Sequence, residues 1–157
     1  MIAVIYTSLG GNTEDAAEMI AEEIRKEGVA CRVYPAGDFP VSVESFDMVV
    51  FGSYTWGDGD LPLVMRRELQ RILKVEVQNI KKAAVFGTGD TAFPLFCRAS
   101  DELLYHLTKH GVPVIGDALK IEQSPYSLGQ PKKVKRWVKQ ILNGGINDEY
   151  EQTYTKD

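Results

Sequence analysis

The chain has 157 residues, 44% hydrophobic and 25% charged, with a formal net charge of −4 at pH 7. That length suits one domain with a full core, and the balance excludes disordered, collagenous and coiled-coil classes. No apolar run approaches the ~20 residues of a membrane span. A net acidic chain is also a poor match to nucleic acid, whose phosphates need basic surface. Cys31 and Cys97 make no disulfide framework, and the N-terminus carries no basic leader. The expectation is a cytoplasmic protein with free thiols.

Short apolar runs alternate with amphipathic stretches. Residues 2–6 predict a buried strand. Residues 13–27 predict a helix, with Ala16, Ala17, Met19, Ile20 and Ile24 on one face and Gly28 as its stop. Residues 30–34 and 48–51 predict the second and third strands. A helix over 63–74 follows Pro62, a residue suited to a first turn. Residues 83–86 predict the fourth strand, and 94–110 a long helix stopped by Gly111. Residues 112–115 and 118–121 predict a fifth strand, interrupted at Gly116 and Asp117. Residues 131–142 predict the last helix. The domain is expected to span 1–143, with 144–157 a polar tail. Strand and helix alternating in this way imply a parallel sheet covered on both faces.

The loops after the first, third and fourth strands open on one edge of such a sheet, where ligands bind. The first reads Thr7-Ser8-Leu9-Gly10-Gly11-Asn12-Thr13 and runs into a helix. Its backbone N–H groups and the helix dipole favour an anion. It lacks the Gly-Lys-Ser/Thr of a nucleotide-hydrolysing loop and holds no Lys or Arg, so a monophosphate held by neutral donors fits. A plain turn with an Asn or Thr cap is the alternative.

The second loop is Tyr54-Thr55-Trp56-Gly57-Asp58-Gly59-Asp60-Leu61-Pro62. An aromatic set among glycines and aspartates has little core to fill and can stack on a flat ligand. The carboxylates are otherwise ordinary turn residues. The third loop is Gly87-Thr88-Gly89-Asp90-Thr91-Ala92-Phe93-Pro94-Leu95-Phe96-Cys97. Its formal match to the dinucleotide fingerprint carries no weight: it follows the fourth strand and runs into Pro94. Phe93 supplies a second aromatic at the same edge. Together the loops imply a ligand with a phosphate joined to a planar ring.

On these residues the sequence resembles the flavodoxin family, the Bacillus-type short-chain group especially. The resemblance rests on 8–14, 52–62 and 86–93 with Phe96-Cys97, and covers the chain to about its last helix. It implies an α/β, flavodoxin-like three-layer sandwich with a five-stranded parallel sheet of order 2-1-3-4-5, a topology for which flavodoxin is itself the type example.

The resemblance implies FMN as cofactor. Ser8, Asn12 and Thr13 would bind its phosphate, with the backbone of Thr7, Leu9, Gly10 and Gly11. Tyr54 and Thr55 would line the phosphate and ribityl end. Trp56 would stack on one face of the isoalloxazine and Phe93 on the other. The Gly57 carbonyl would accept a hydrogen bond from the N5–H of the one-electron-reduced ring. Asp58 and Asp90 would offer backbone N–H groups to the ring oxygens, while Leu95 and Cys97 would contact the pyrimidine edge. Gly59, Thr88, Gly89 and Phe96 would complete the pocket. The implied partners are a flavodoxin/ferredoxin–NADP reductase or similar donor and redox enzymes as acceptors, with the carrier a monomer.

Three departures from the family pattern stand out. Gly10 replaces a common Ser or Thr, Phe93 replaces a common Tyr, and Arg66, Arg67 and Arg71 make basic a helix that is usually acidic. An extra hydroxyl at position 10 would strengthen phosphate binding if the backbone there does not need positive φ. The basic helix implies a docking face of mixed charge.

An electron carrier is therefore expected rather than an enzyme. The alternative is an FMN-dependent NAD(P)H quinone or azo reductase, which needs room over the ring for nicotinamide. A phosphorylated receiver domain is rejected, because Tyr6-Thr7-Ser8 stands where its acidic pair belongs. His106 and His110 have a metal-compatible spacing without a third ligand, and the dipole at a helix C-terminus accounts for them. Lys132, Lys133, Lys135, Arg136 and Lys139 read as a solvated face.

Overall fold

The computed structural model describes residues 1–39, 42–57 and 59–144; Asp58 and all of the expected tail beyond Gly144 lie outside them. Five parallel strands form one sheet: β1 (Ile2–Thr7), β2 (Cys31–Pro35), β3 (Met48–Tyr54), β4 (Ala83–Gly89) and β5 (Leu119–Glu122). Their order is β2-β1-β3-β4-β5. All six residues of β1 are buried, as expected of a central strand with both faces covered.

Helices α1 (Asn12–Lys26) and α4 (Gln130–Leu142) cover one face; α2 (Leu63–Glu76) and α3 (Arg98–Lys109) cover the other. In α1 the buried residues are Thr13, Ala16, Ala17, Ile20, Ala21 and Ile24, the steps of three and four that set one helical stripe against a sheet. In α2, Met65, Leu69, Ile72 and Leu73 serve the second core with Leu103 and Leu107 of α3. Phe39, Val43 and Phe46, from the β2–β3 connection, join that core.

The elements follow the expected order, with three informative differences. β3 and β4 each run three residues past the expected ends. Gly52, Ser53 and Tyr54 pair with Phe86, Gly87 and Thr88, so the ladder continues through Gly52, Ser53 and Gly87 because a neighbouring strand is already in place. α3 begins at Arg98 rather than at residue 94. Cys97 sits in the left-handed region at φ 52, which stops the helix from extending backwards. The fifth strand is confined to Leu119–Glu122, while Val114 makes an isolated bridge to Ala83 and Gly116, at φ 74, separates the two.

Gly52 is required for space. A Cβ there would stand 1.9 Å from Cζ of Phe86, whose buried ring lies over the glycine from the adjacent strand. Overpacking of this kind costs about 1–3 kcal/mol. Gly52→Ala is expected to lower the unfolding free energy by about that amount in a urea titration. Adding Phe86→Leu should return part of the loss, so that the double mutant is less destabilised than the two single effects combined.

Candidate functional site

The carboxyl ends of β1, β3 and β4 release the three loops at one edge of the sheet. Between them lies a cavity of about 600 Å³, within the range of about 300–1,000 Å³ found for small-molecule sites.

The first loop turns through Gly10 at φ 84 and Gly11 at φ 99. A side chain at either position would be strained. That answers the question raised by Gly10: the backbone requires glycine, and a hydroxyl residue there would distort the turn it was meant to improve. Gly11 occupies the N-cap of α1 with no side-chain cap. Among the described residues, the amides of Gly10, Gly11, Asn12 and Thr13 donate to no protein acceptor. Ser8 Oγ accepts from the Glu14 amide at 3.2 Å, which leaves its own proton to donate outward. Leu9 and Asn12 line the cavity. Thr7 and Thr13 are buried behind it, and Thr13 Oγ1 lies 2.7 Å from Thr88 Oγ1, joining the first loop to the third.

In the second loop, Tyr54, Thr55 and Gly57 line the cavity. Thr55 Oγ1 accepts from the Ala99 amide at 3.1 Å, again leaving a hydroxyl proton free. Trp56 stands differently from its expected place. Its ring packs edge-on against Tyr54, with centroids 6.3 Å apart, and lines an adjoining hollow with Asp60, Leu61 and Pro62. Its backbone pairs with Asp60, whose amide donates to the Trp56 carbonyl at 2.7 Å. Gly59 contacts α3 instead of the cavity: Arg98 Nη1 donates to its carbonyl at 3.1 Å. The expectation for Asp58 falls outside the described residues.

In the third loop, Thr88, Gly89, Asp90, Phe93, Leu95, Phe96 and Cys97 all line the cavity, Phe93 with 67% exposure. The Asp90 carboxylate is occupied within the protein. It accepts from the Ala92 amide at 2.8 Å and from Gln123 Nε2 at 3.4 Å. Glu122 holds the loop down, accepting from the Thr91 amide at 3.2 Å and from the Thr91 hydroxyl at 3.0 Å. Burial pushes the Cys97 thiol up to about 12 and the Cys31 thiol up to about 11. Cys97 is thus a packed wall residue that stays protonated and is no nucleophile.

Pro94 and Gln123 also line the cavity and were not singled out from sequence. Pro94 reads as the first residue of the expected helix, a position that carries no ligand signal. Gln123 is one of two non-glycine residues at positive φ among the described residues, at φ 57, but that strain is visible only in the fold.

The flavodoxin family model, described simply as Flavodoxin, matches residues 4–137. The chain belongs to the flavodoxin family. "Probable flavodoxin 1" of Bacillus subtilis is 34% identical over 123 residues, covering 78% of this chain and 77% of that protein. The structure of oxidised Flavodoxin 1 from Bacillus cereus superposes with a TM-score of 0.80 at 32% identity, covering 90% of this chain and 97% of that one. An "NADPH-dependent diflavin oxidoreductase 1" of Cryptococcus neoformans is 31% identical across 89% of this chain, which spans 23% of that longer protein. The chain is accordingly an FMN-binding electron carrier of the short-chain flavodoxin type.

The residues present fit FMN. A row of unpaired amides with neutral hydroxyl donors suits a phosphate, and a broad cavity walled by Phe93 and Leu9 suits a flat ring. The buried Thr13–Thr88 contact ties these two halves together. Thr13→Val would leave the Thr88 hydroxyl unpaired, at a cost of about 1–3 kcal/mol. Denaturation of the apoprotein is expected to register that loss, and Thr13→Val with Thr88→Val to recover most of it. A double mutant as unstable as the single one would assign the loss to packing.

Proposed function

We propose that this carrier seats the FMN phosphate on the amides of Gly10 to Thr13 and the ring beside Phe93, and passes single electrons from a reductase to redox enzymes of the cytoplasm. The observation that carries this reading is the run of amides without a protein acceptor, in a loop whose Leu9 and Asn12 line an aromatic-walled cavity. The ring supplies the redox chemistry when bound, and the chain positions and tunes it.

Ser8 donates to a phosphate oxygen while its own oxygen stays on the Glu14 amide. Asn12 and Thr55 add neutral donors, and the dipole of α1 offsets the negative charge without a basic side chain. The Asp90 carboxylate forms the turn that presents its backbone amide to the ring edge. Phe93 covers one face of the ring. Trp56, on the second loop beside Tyr54, would cover the other. Support for a reductase donor comes from the Cryptococcus relative, whose name describes an NADPH-dependent oxidoreductase several times the length of this chain. Among the described residues no helix is long and apolar enough to cross a membrane.

Gly57 governs one proton. It has φ 50, and no heavy atom lies within 4 Å of where its Cβ would stand. Glycine tolerates either orientation of its peptide, so its carbonyl would accept a hydrogen bond from a ring nitrogen of the bound cofactor.

Two measurements test these roles. Titration of the apoprotein with FMN should give one site per chain and quench Trp56 emission, with Trp56→Phe removing most of the quenching. FAD should bind at least tenfold more weakly, because the amides close around a terminal phosphate; equal affinity for the two would refute the seating described. In potentiometry, Gly57→Ala should bring the two one-electron midpoint potentials closer together. Unchanged spacing would mean that another group accepts the proton's hydrogen bond.

A further inference from the structure

A second cleft, of about 640 Å³, runs between α2 and α3 on the face of the sheet served by those helices. Leu61, Leu69 and Leu73 form its floor. Its rim carries Arg66 and Lys74 from α2, and Lys109 with two histidines from α3. No carboxylate lines it, in a chain whose net charge is −4. The nearest acid on α3, Glu102, is already engaged below the rim. It accepts from Arg66 Nη2 at 3.0 Å and from the Leu61 amide at 3.1 Å. Among the described residues Lys74 and Lys109 have no carboxylate within ion-pair distance.

This cleft continues towards the cofactor cavity. Leu61 and Arg66 also line the hollow beneath Trp56, where Leu63 and Val64 are 56% and 51% exposed. Tyr54 then lines both that hollow and the cavity. One surface thus presents, in order, a cationic cleft in which Lys74 and Lys109 stand outside the ion pairs of the described residues, an exposed step of Leu63 and Val64 beside Asp60, and the mouth of the redox site.

We propose that this surface docks an acidic redox partner, whose carboxylates enter between Lys74 and Lys109 while its apolar side chains meet Leu63 and Val64. The proposal rests on the electron-carrier reading and names the partner's chemistry. Charge complementarity at the cleft selects acid, since Glu102 is taken up by Arg66 while Lys74 and Lys109 have no carboxylate partner among the described residues, and a basic group entering between them would be repelled. The apolar step supplies the desolvated contact that charge alone lacks. The rim lysines would speed encounter at low salt, and their effect would fade once the Debye length falls below about 8 Å.

The test uses FMN-loaded, 15N-labelled protein and three synthetic helical peptides: Glu/Leu amphipathic, its Lys/Leu counterpart, and a Glu/Ser version without apolar residues. The Glu/Leu peptide should shift the amides of Leu63, Val64, Leu73 and Lys109, and Lys74→Glu with Lys109→Glu should weaken its binding by about tenfold or more. Equal binding by the Glu/Ser or Lys/Leu peptide, shifts confined to the α4 lysines, or no binding would each overturn the proposal. A kinetic arm follows oxidation of the reduced protein by an acidic and by a basic haem protein. The double variant should slow the first several-fold without slowing the second; equal slowing of both, or no change in either, would also overturn it. FMN absorption and photoreduction of the same samples report the carrier function separately. A variant that loads and photoreduces normally but passes neither arm refutes the docking surface alone.

Discussion

The crossover from β1 to β2 goes over one face of the sheet, and the crossovers from β3 to β4 and from β4 to β5 go over the other. Right-handed connections enforce this wherever strand order reverses. Beside β1 and β3 the chain leaves in opposite directions, so nothing fills the edge between them. Every feature of the site descends from that opening. The first loop borders it through Leu9 and Asn12, the second loop forms one wall, and the third loop, anchored from β5, forms another.

Side chains and backbone divide the work in an unexpected way. Ser8 and Thr55 look like ligand contacts in the sequence, and Asp90 like a backbone donor. In the fold their oxygens accept hydrogen bonds from the Glu14, Ala99 and Ala92 amides. The side chains hold the loops, while the amides of Gly10 to Thr13 are left without a protein acceptor among the described residues. Glu122 extends this bracing from the far edge of the sheet by fixing Thr91. Binding to a site braced in this way forfeits less entropy than ordering three free loops would.

The fold was legible because the core obeys simple periods. Steps of three and four in α1 and α2, and solid apolar runs in the strands, leave few alternatives. Legibility fails where distant partners decide. The polar ends of β3 and β4 read as loop, since only the neighbouring strand makes them strand. The start of α3 was placed too early because Cys97 adopts a left-handed conformation in a turn held by β5, which local propensity does not reveal. In the site, the motif residues of the third loop gather as read. Trp56 does not, because its position depends on the backbone pairing of Trp56 with Asp60 and on Tyr54. Gln123 was missed because a single glutamine after a strand forms no pattern.

The burial of the two cysteines bears on chemical wear. Thiolate is the form that peroxide attacks. A carrier of reducing equivalents that meets dioxygen generates peroxide beside its own cofactor. Cys97 lines the cofactor cavity, yet it is only 1% exposed and its thiol is held near 12. The polypeptide thus keeps sulfur in the wall of the cavity while burial disfavours the form of it that peroxide attacks.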